Sequence, residues 1–442
     1  MRYIISLALV LLLYSCSEPN LQINNGSTSN FLEEIAFVKT FGGSGNDVGN
    51  AVVATNDGGY AILGYTTSTD GDIENKTQND SDLLLLKYNT QDELQWSKTY
   101  GGTLDDRGNE IIQTADNGYI IFGFSRSNDG DVTNNEGNSD FWIAKLDTSG
   151  TIQWQKSFGF SGRDNGVSLT PTSDNGYLIV GELDVTASGG QGNSRSASRH
   201  AGGDYWAIKL NTNGMKEWSK FFGGTFTETP QGVVETNEGD FIISGFSDSE
   251  DVDISNNKGT YDFWIIKISS TGTLLWEKNF GGSEIDEAYS IQKTTDGNFV
   301  IVGDTRSSDK DITRNNGGAD LWLIKINTNG NLIWQKNFGG SGFDAGRAVY
   351  TTKDGGFIIC GSSRSSDRDF VNKGQNDAWI LKVTANGSTE WQKFIGGSDI
   401  DLLYGVTELN NGAIIAVGES TSNDQDIDEN KGFSDLLIIK IQ

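Results

Sequence analysis

AYSIQKTTDGNFVIVGDTRSSDKDITRNNGGADLWLIKINTNGNLIWQKNF, residues 288–338, reads as four short strands and the turns that join them. Ala288-Tyr289-Ser290-Ile291-Gln292-Lys293-Thr294 alternates like a strand with one buried face. Thr295-Asp296-Gly297-Asn298 is a hairpin turn. Phe299-Val300-Ile301-Val302-Gly303 is apolar throughout, which predicts a strand buried on both faces. A long polar loop covers residues 307–320. Residues 321–326 form a third strand, Asn327-Thr328-Asn329-Gly330 a second tight turn, and residues 332–338 a fourth strand.

The unit recurs. A Gly opening a Gly-Gly-Ser-like turn stands at Gly42, Gly101, Gly159, Gly223, Gly281, Gly339 and Gly396, a period of about 58 residues. Four antiparallel strands per repeat predict a propeller blade. The chain ends agree with this. The last copy stops after its third strand, at residues 436–442. The missing fourth strand stands at the other end, where residues 36–41 align with Trp96-Ser97-Lys98-Thr99-Tyr100 and Phe37 holds the Trp position. The expected fold is all-β, a seven-bladed β-propeller with four antiparallel strands per blade. The N-terminal strand completes the last blade and closes the ring. Closure removes open sheet edges, so a monomer is expected. An open solenoid would need caps instead of complementary ends.

The chain has 11 Trp, and every one falls in a third or fourth strand. Trp142, Trp206, Trp264, Trp322 and Trp379 lie in third strands; Trp96, Trp154, Trp218, Trp276, Trp334 and Trp391 lie in fourth strands. Such repetition reads as packing between blades rather than as platforms for sugars. A Lys two residues after each fourth-strand Trp, such as Lys278 and Lys336, reads as a cover for apolar surface or a partner for a carboxylate.

Lys145-Leu146-Asp147-Thr148-Ser149-Gly150-Thr151-Ile152-Gln153-Trp154 resembles the tryptophan-docking repeat of quinoprotein-like propellers. The longer unit WQKNFGGSGFDAGRAVYTTKDGGFIICG, residues 334–361, resembles the Gly/Asp-rich repeats of bacterial secreted and surface lipoproteins with propeller folds. The resemblance covers residues 34–442 and implies an architecture. It implies no activity, because that lipoprotein group mostly carries no assigned chemistry and nothing in this chain matches a quinone-binding pocket.

The 442 residues carry a net charge of -27. Phosphates would be repelled, which argues against nucleic acid and anionic membrane surfaces. Cys16 and Cys360 make no disulfide framework, and a single His makes no His-based zinc site. Met1-Arg2 is a short basic start, residues 4–13 are mostly apolar, and Leu13-Tyr14-Ser15-Cys16 follows. This segment resembles a bacterial lipoprotein signal. On that reading residues 1–15 are the signal peptide, Cys16 is lipidated, residues 16–33 are a flexible tether and residues 34–442 are the propeller. The protein is then exported and lipid-anchored in the envelope, at the outer membrane, and touches the membrane only through its lipid. An ordinary cleaved secretory signal is the alternative.

Strand alternation assigns two faces. Tight turns share one; the second-to-third loops and the blade-to-blade loops share the other, where binding is expected. Each blade-to-blade loop ends in a carboxylate: Asp47, Asp106, Asp164, Glu228, Asp286, Asp344 or Asp401. These form a ring near the opening or cap local N–H groups. Six second-to-third loops carry Asp-x-Asp: Asp70/Asp72, Asp129/Asp131, Asp251/Asp253, Asp309/Asp311, Asp367/Asp369 and Asp424/Asp426. Alternating carboxylates with Asn and a Gly bend suit a Ca²⁺ cage, but no terminal Glu completes one. Asx turns or Lys/Arg pairing is the other reading. No other cofactor is expected.

The third copy lacks Asp-x-Asp. Its longer loop is a basic island holding Arg195, Arg199 and His200, either a tolerated insertion or an arm that contacts a ligand. The residue after the second-strand Gly varies from copy to copy: Tyr65, Phe124, Glu182, Phe246, Asp304, Ser362 and Glu419. Variation on a fixed frame suits a grafted site, with aromatics and carboxylates for a glycan. No phosphate loop, nucleophile elbow or Ser/His/Asp set is present. The expected function is a non-enzymatic module that binds a protein or glycan through the acidic loop face. A carboxylate-dependent glycan hydrolase or lyase is the alternative.

Overall fold

The computed structural model describes residues 33–188 and 202–442. The described residues form seven antiparallel sheets of four strands each and one short helix, Val185–Ser188. The first blade is Asp47–Ala54, Tyr60–Thr66, Asp82–Tyr88 and Leu94–Tyr100. The fifth is Asp286–Lys293, Phe299–Thr305, Asp320–Ile326 and Leu332–Phe338, as its sequence pattern predicts. First strands of neighbouring blades touch all the way round, the seventh against the first included. They form the inner wall of a seven-bladed propeller.

The last blade is Asp401–Glu408, Ile414–Ser420 and Asp435–Ile441, and its outer strand is Ile35–Phe41 from the other end of the chain. The register runs from Ile35 opposite Ile441 to Phe41 opposite Leu436. Phe37 faces Lys440 as Trp96 faces Lys87, so Phe37 does occupy the Trp position.

The core lies between blades. Leu83 and Leu85 of the first blade pack in one cluster with Ile121 and Trp142 of the second. Trp142, Trp206, Trp264, Trp322 and Trp379 are among the largest fully buried side chains, as inter-blade packing requires. Removing one such ring would cost about 3–5 kcal/mol.

A buried lysine accompanies them in every third strand. Lys87, Lys145, Lys209, Lys267, Lys325 and Lys382 each meet the Asp of their own first hairpin at 2.8–3.0 Å. The turn thereby fastens the strand while the lysine stem fills the sheet interface. The seventh blade has Asn at that turn. Its Lys440 instead reaches Asp92 of the first blade at 2.7 Å, a tie across the ring closure.

Candidate functional site

The inner wall departs from regular pairing at one place in each blade. The register slips between Gly49 and Ala51, and at the matching place in all six other first strands. A β-bulge leaves one residue out of the ladder and re-aims its side chain. The bulged residues are Asn50, Asn109, Val167, Gln231, Tyr289, Arg347 and Tyr404, and all seven line one central cavity of about 930 Å³.

The bulge explains the Gly that ends the apolar run of each second strand. A Cβ on Gly303 would lie 1.9 Å from the Glu287 carbonyl oxygen, and one on Gly64 would lie 1.8 Å from that of Val48. Only glycine lets the bulged backbone press this close.

The ring is chemically lopsided. Asn50 and Asn109 tie blades together, donating from Nδ2 to the carbonyls of Gly108 (2.8 Å) and Gly166 (2.7 Å). The fifth, sixth and seventh blades supply two tyrosines and an arginine instead. The Arg347 guanidinium lies 3.8 Å over the Tyr289 ring. The Tyr289 hydroxyl donates to Glu287 and the Tyr404 hydroxyl to Glu419, both at 2.7 Å. Glu110 also opens onto the channel, where burial pushes its carboxyl up to about 7.

The second-strand residues singled out from sequence lie directly behind this wall. Tyr65, Phe124, Glu182, Phe246, Asp304 and Glu419 pair with Val48, Arg107, Asn165, Thr229, Glu287 and Leu402 of the first strands. Tyr65 lies under Arg107, 4.4 Å from its guanidinium carbon. Phe246 stands between Tyr261 (5.6 Å) and Tyr289 (6.4 Å). Asp304 is fully buried, and burial pushes it up to about 7 against the pull of Arg347. Sequence reasoning missed the bulge ring itself. The signal was present in the glycine opposite it and in the variable residue beside the small one at Gly49, Gly108 or Gly346. Cys16, Arg195, Arg199 and His200 lie outside the described residues.

The loop-face carboxylates are engaged with the chain. Asp47, Asp106, Asp164, Glu228, Asp286, Asp344 and Asp401 are fully buried. Each accepts the N–H four residues before it, as Asp344 does from Gly340 at 2.8 Å. The first Asp of each Asp-x-Asp accepts an N–H from the neighbouring blade-to-blade loop, as Asp309 does from Ser283 at 2.9 Å. Asp72, Asp131, Asp253, Asp311 and Asp426 accept the N–H of the Gly that opens that loop. Asp72 and Asp311 also hold Lys431 and Lys258 at 2.6 Å, and Asp426 holds Lys373. Asp369 lies in the sixth blade's loop and lends its backbone carbonyl to Gln392. Among the described residues no group of three or more His, Cys, Asp or Glu is placed to hold a metal ion. No helix among them is long and apolar enough to cross a membrane.

No protein-family model matches the chain. Over 225 residues, 47% of this chain, it is 23% identical to the regulatory protein FlaEY of Caulobacter vibrioides; the match spans 23% of that protein's length. The WD40 domain of Neurospora crassa Pan2 superposes with a TM-score of 0.50 at 9% identity, covering 92% of this chain and 96% of that one. BamB from Moraxella catarrhalis gives 0.39 at 10% identity, covering 92% and 99%. These are likenesses of fold alone.

Proposed function

We propose that this protein is a non-enzymatic binding module of the bacterial envelope, anchored by a lipid on Cys16, which takes a protein or glycan ligand at the mouth of its central channel. The observation that carries this reading is the bulge ring. One backbone device is repeated seven times, yet it presents Asn50, Asn109, Val167, Gln231, Tyr289, Arg347 and Tyr404. A purely structural wall has no need of this variety. Rigid frames with varied inward side chains suit recognition. Aromatic and Arg side chains are also the types that anchor interfaces.

The test is to probe arrays of glycans and envelope proteins with the detergent-solubilised full chain. Tyr404→Ala and Arg347→Ala are compared with the unsubstituted protein. Loss of the array signal at unchanged melting temperature supports the channel mouth as the site. A signal untouched by both substitutions rejects it. Turnover of an array glycan would instead favour the hydrolase or lyase.

A further inference from the structure

The chain has a net charge of -27. Even so, a cavity of about 370 Å³ beside the second and third blades is lined by three arginines, Arg107, Arg126 and Arg163, and by one carboxylate, Asp105. We infer that this pocket binds the anionic group of an acidic saccharide. The inference rests on the binding-module reading and adds to it a second site, separate from the central channel.

Each guanidinium has a neighbour on the chain. The Arg107 guanidinium carbon lies 4.4 Å over the Tyr65 ring, and its Nε is buried with no hydrogen-bond partner among the described residues. Arg126 approaches Asp105 at 3.5 Å. With the Asn165 amide turned so that its oxygen faces Arg163, that oxygen accepts from Nε (2.8 Å) and Nη2 (3.1 Å). The Asn165 nitrogen then donates to Ser139 Oγ at 2.9 Å. Glu182, with Asp184 and Asp164 near it, lies close to Arg163, and burial pushes its carboxyl up. The lining itself sets three cations against one carboxylate in a negative protein.

Planar guanidinium forks match carboxylate and sulfate oxygens two at a time. The rest of the wall suits a sugar ring. Phe124 supplies an aromatic side, and Asn138 and Ser139 supply an amide and a hydroxyl for ring hydroxyls. The volume falls in the range of small-ligand pockets, enough for one ring-sized group and too little for an extended chain.

The test is calorimetric titration of the detergent-solubilised full chain with a galacturonate trisaccharide, maltotriose, inorganic sulfate and the tripeptide Gly-Gly-Glu. The galacturonate trisaccharide is expected to bind, and maltotriose to bind at least tenfold more weakly. Arg126→Ala and Arg163→Ala, both at exposed side chains, should each weaken binding of the acidic trisaccharide at least tenfold. Arg314→Ala, at an exposed side chain in the second-to-third loop of the fifth blade, should leave it unchanged. Equal binding by the Arg126→Ala/Arg163→Ala double variant, or no binding at all, overturns the inference. Tighter binding of sulfate or the tripeptide than of the trisaccharide overturns the saccharide assignment. An array ligand lost in Tyr404→Ala, together with no binding of the acidic trisaccharide, would sink this pocket and leave the binding module standing.

Discussion

Replacing Asp320 with Asn should stabilise this protein at neutral pH and leave it unchanged in acid. Asp320 opens the third strand of the fifth blade, and Asp344 opens the first strand of the sixth. Both are fully buried. They crowd the same glycine: a Cβ on Gly339 would lie 2.3 Å from Asp320 Oδ1 and 3.0 Å from Asp344 Oδ2. Asp344 is well supplied, accepting from the Gly340 N–H (2.8 Å), the Ser365 hydroxyl (2.6 Å) and the Ser363 hydroxyl. Asp320 Oδ2 accepts the Asn316 N–H at 2.9 Å, but Oδ1 has no hydrogen-bond partner among the described residues.

Burial, reinforced by the charge of Asp344, pushes the Asp320 carboxyl from 3.8 to about 6. A shift of that size corresponds to about 3 kcal/mol. The folded chain holds this proton more tightly than the unfolded chain. The stability contributed by the acid form is therefore complete below about pH 4 and lost as pH rises towards 6. An Asn amide carries its hydrogens at every pH. Thermal melts followed by circular dichroism should show Asp320→Asn raised by roughly 3–4 °C at pH 7.5 and unshifted at pH 4. Asp344→Asn should fall at both, because its amide would oppose donors that the carboxylate accepts. Equal destabilisation by Asp320→Asn at both pH values would refute the reasoning. Asp140, Asp262, Asp377 and Asp435 repeat the arrangement, with burial the leading cause of values of about 6 to 7.

Other expectations follow from particular contacts. Phe41 is 7% exposed and ends the strand that completes the last blade, so Phe41→Ala should cost about 3 kcal/mol in denaturant unfolding; an unchanged midpoint would count against closure. Gly303→Ala should destabilise by roughly 3 kcal/mol or more through its clash with the Glu287 carbonyl, whereas Gly412→Ala, with nothing within 4 Å, should show only backbone strain. Because the Asp-x-Asp carboxylates already accept N–H donors, melts in CaCl₂ and in NaCl of equal ionic strength should coincide; a Ca²⁺-specific rise lost in Asp309→Asn/Asp311→Asn would favour the metal reading over the turn reading. Cys16→Ser should move the protein from membrane to soluble fractions of a bacterial host, and a wild type already soluble would end the lipoprotein reading.

The strands and turns were legible because they are local. Period-two alternation, turn residues and a repeat of fixed length specify where each strand begins and ends, and the complementary ends of the chain foretell closure. The Trp positions were legible as packing for the same reason. The site was less so. Tyr65, Phe124 and Phe246 were singled out because they vary on a constant frame, and they stand just behind the inner wall. The bulge ring escaped because a one-residue slip of register reverses which side chains face the channel, and register is a property of two strands rather than one.

By itself, then, the sequence determined the number of blades, the four strands in each and the strand that closes the ring, since these depend on side-chain pattern along the chain. Tertiary structure alone decided what meets across the seams. Lys440 finds Asp92, Asp320 faces Asp344, and Arg107, Arg126 and Arg163 converge on one pocket. Residues far apart in sequence become neighbours there because the inner strands are wound into a ring, and burial at those seams gives ordinary side chains their charge state and their partners.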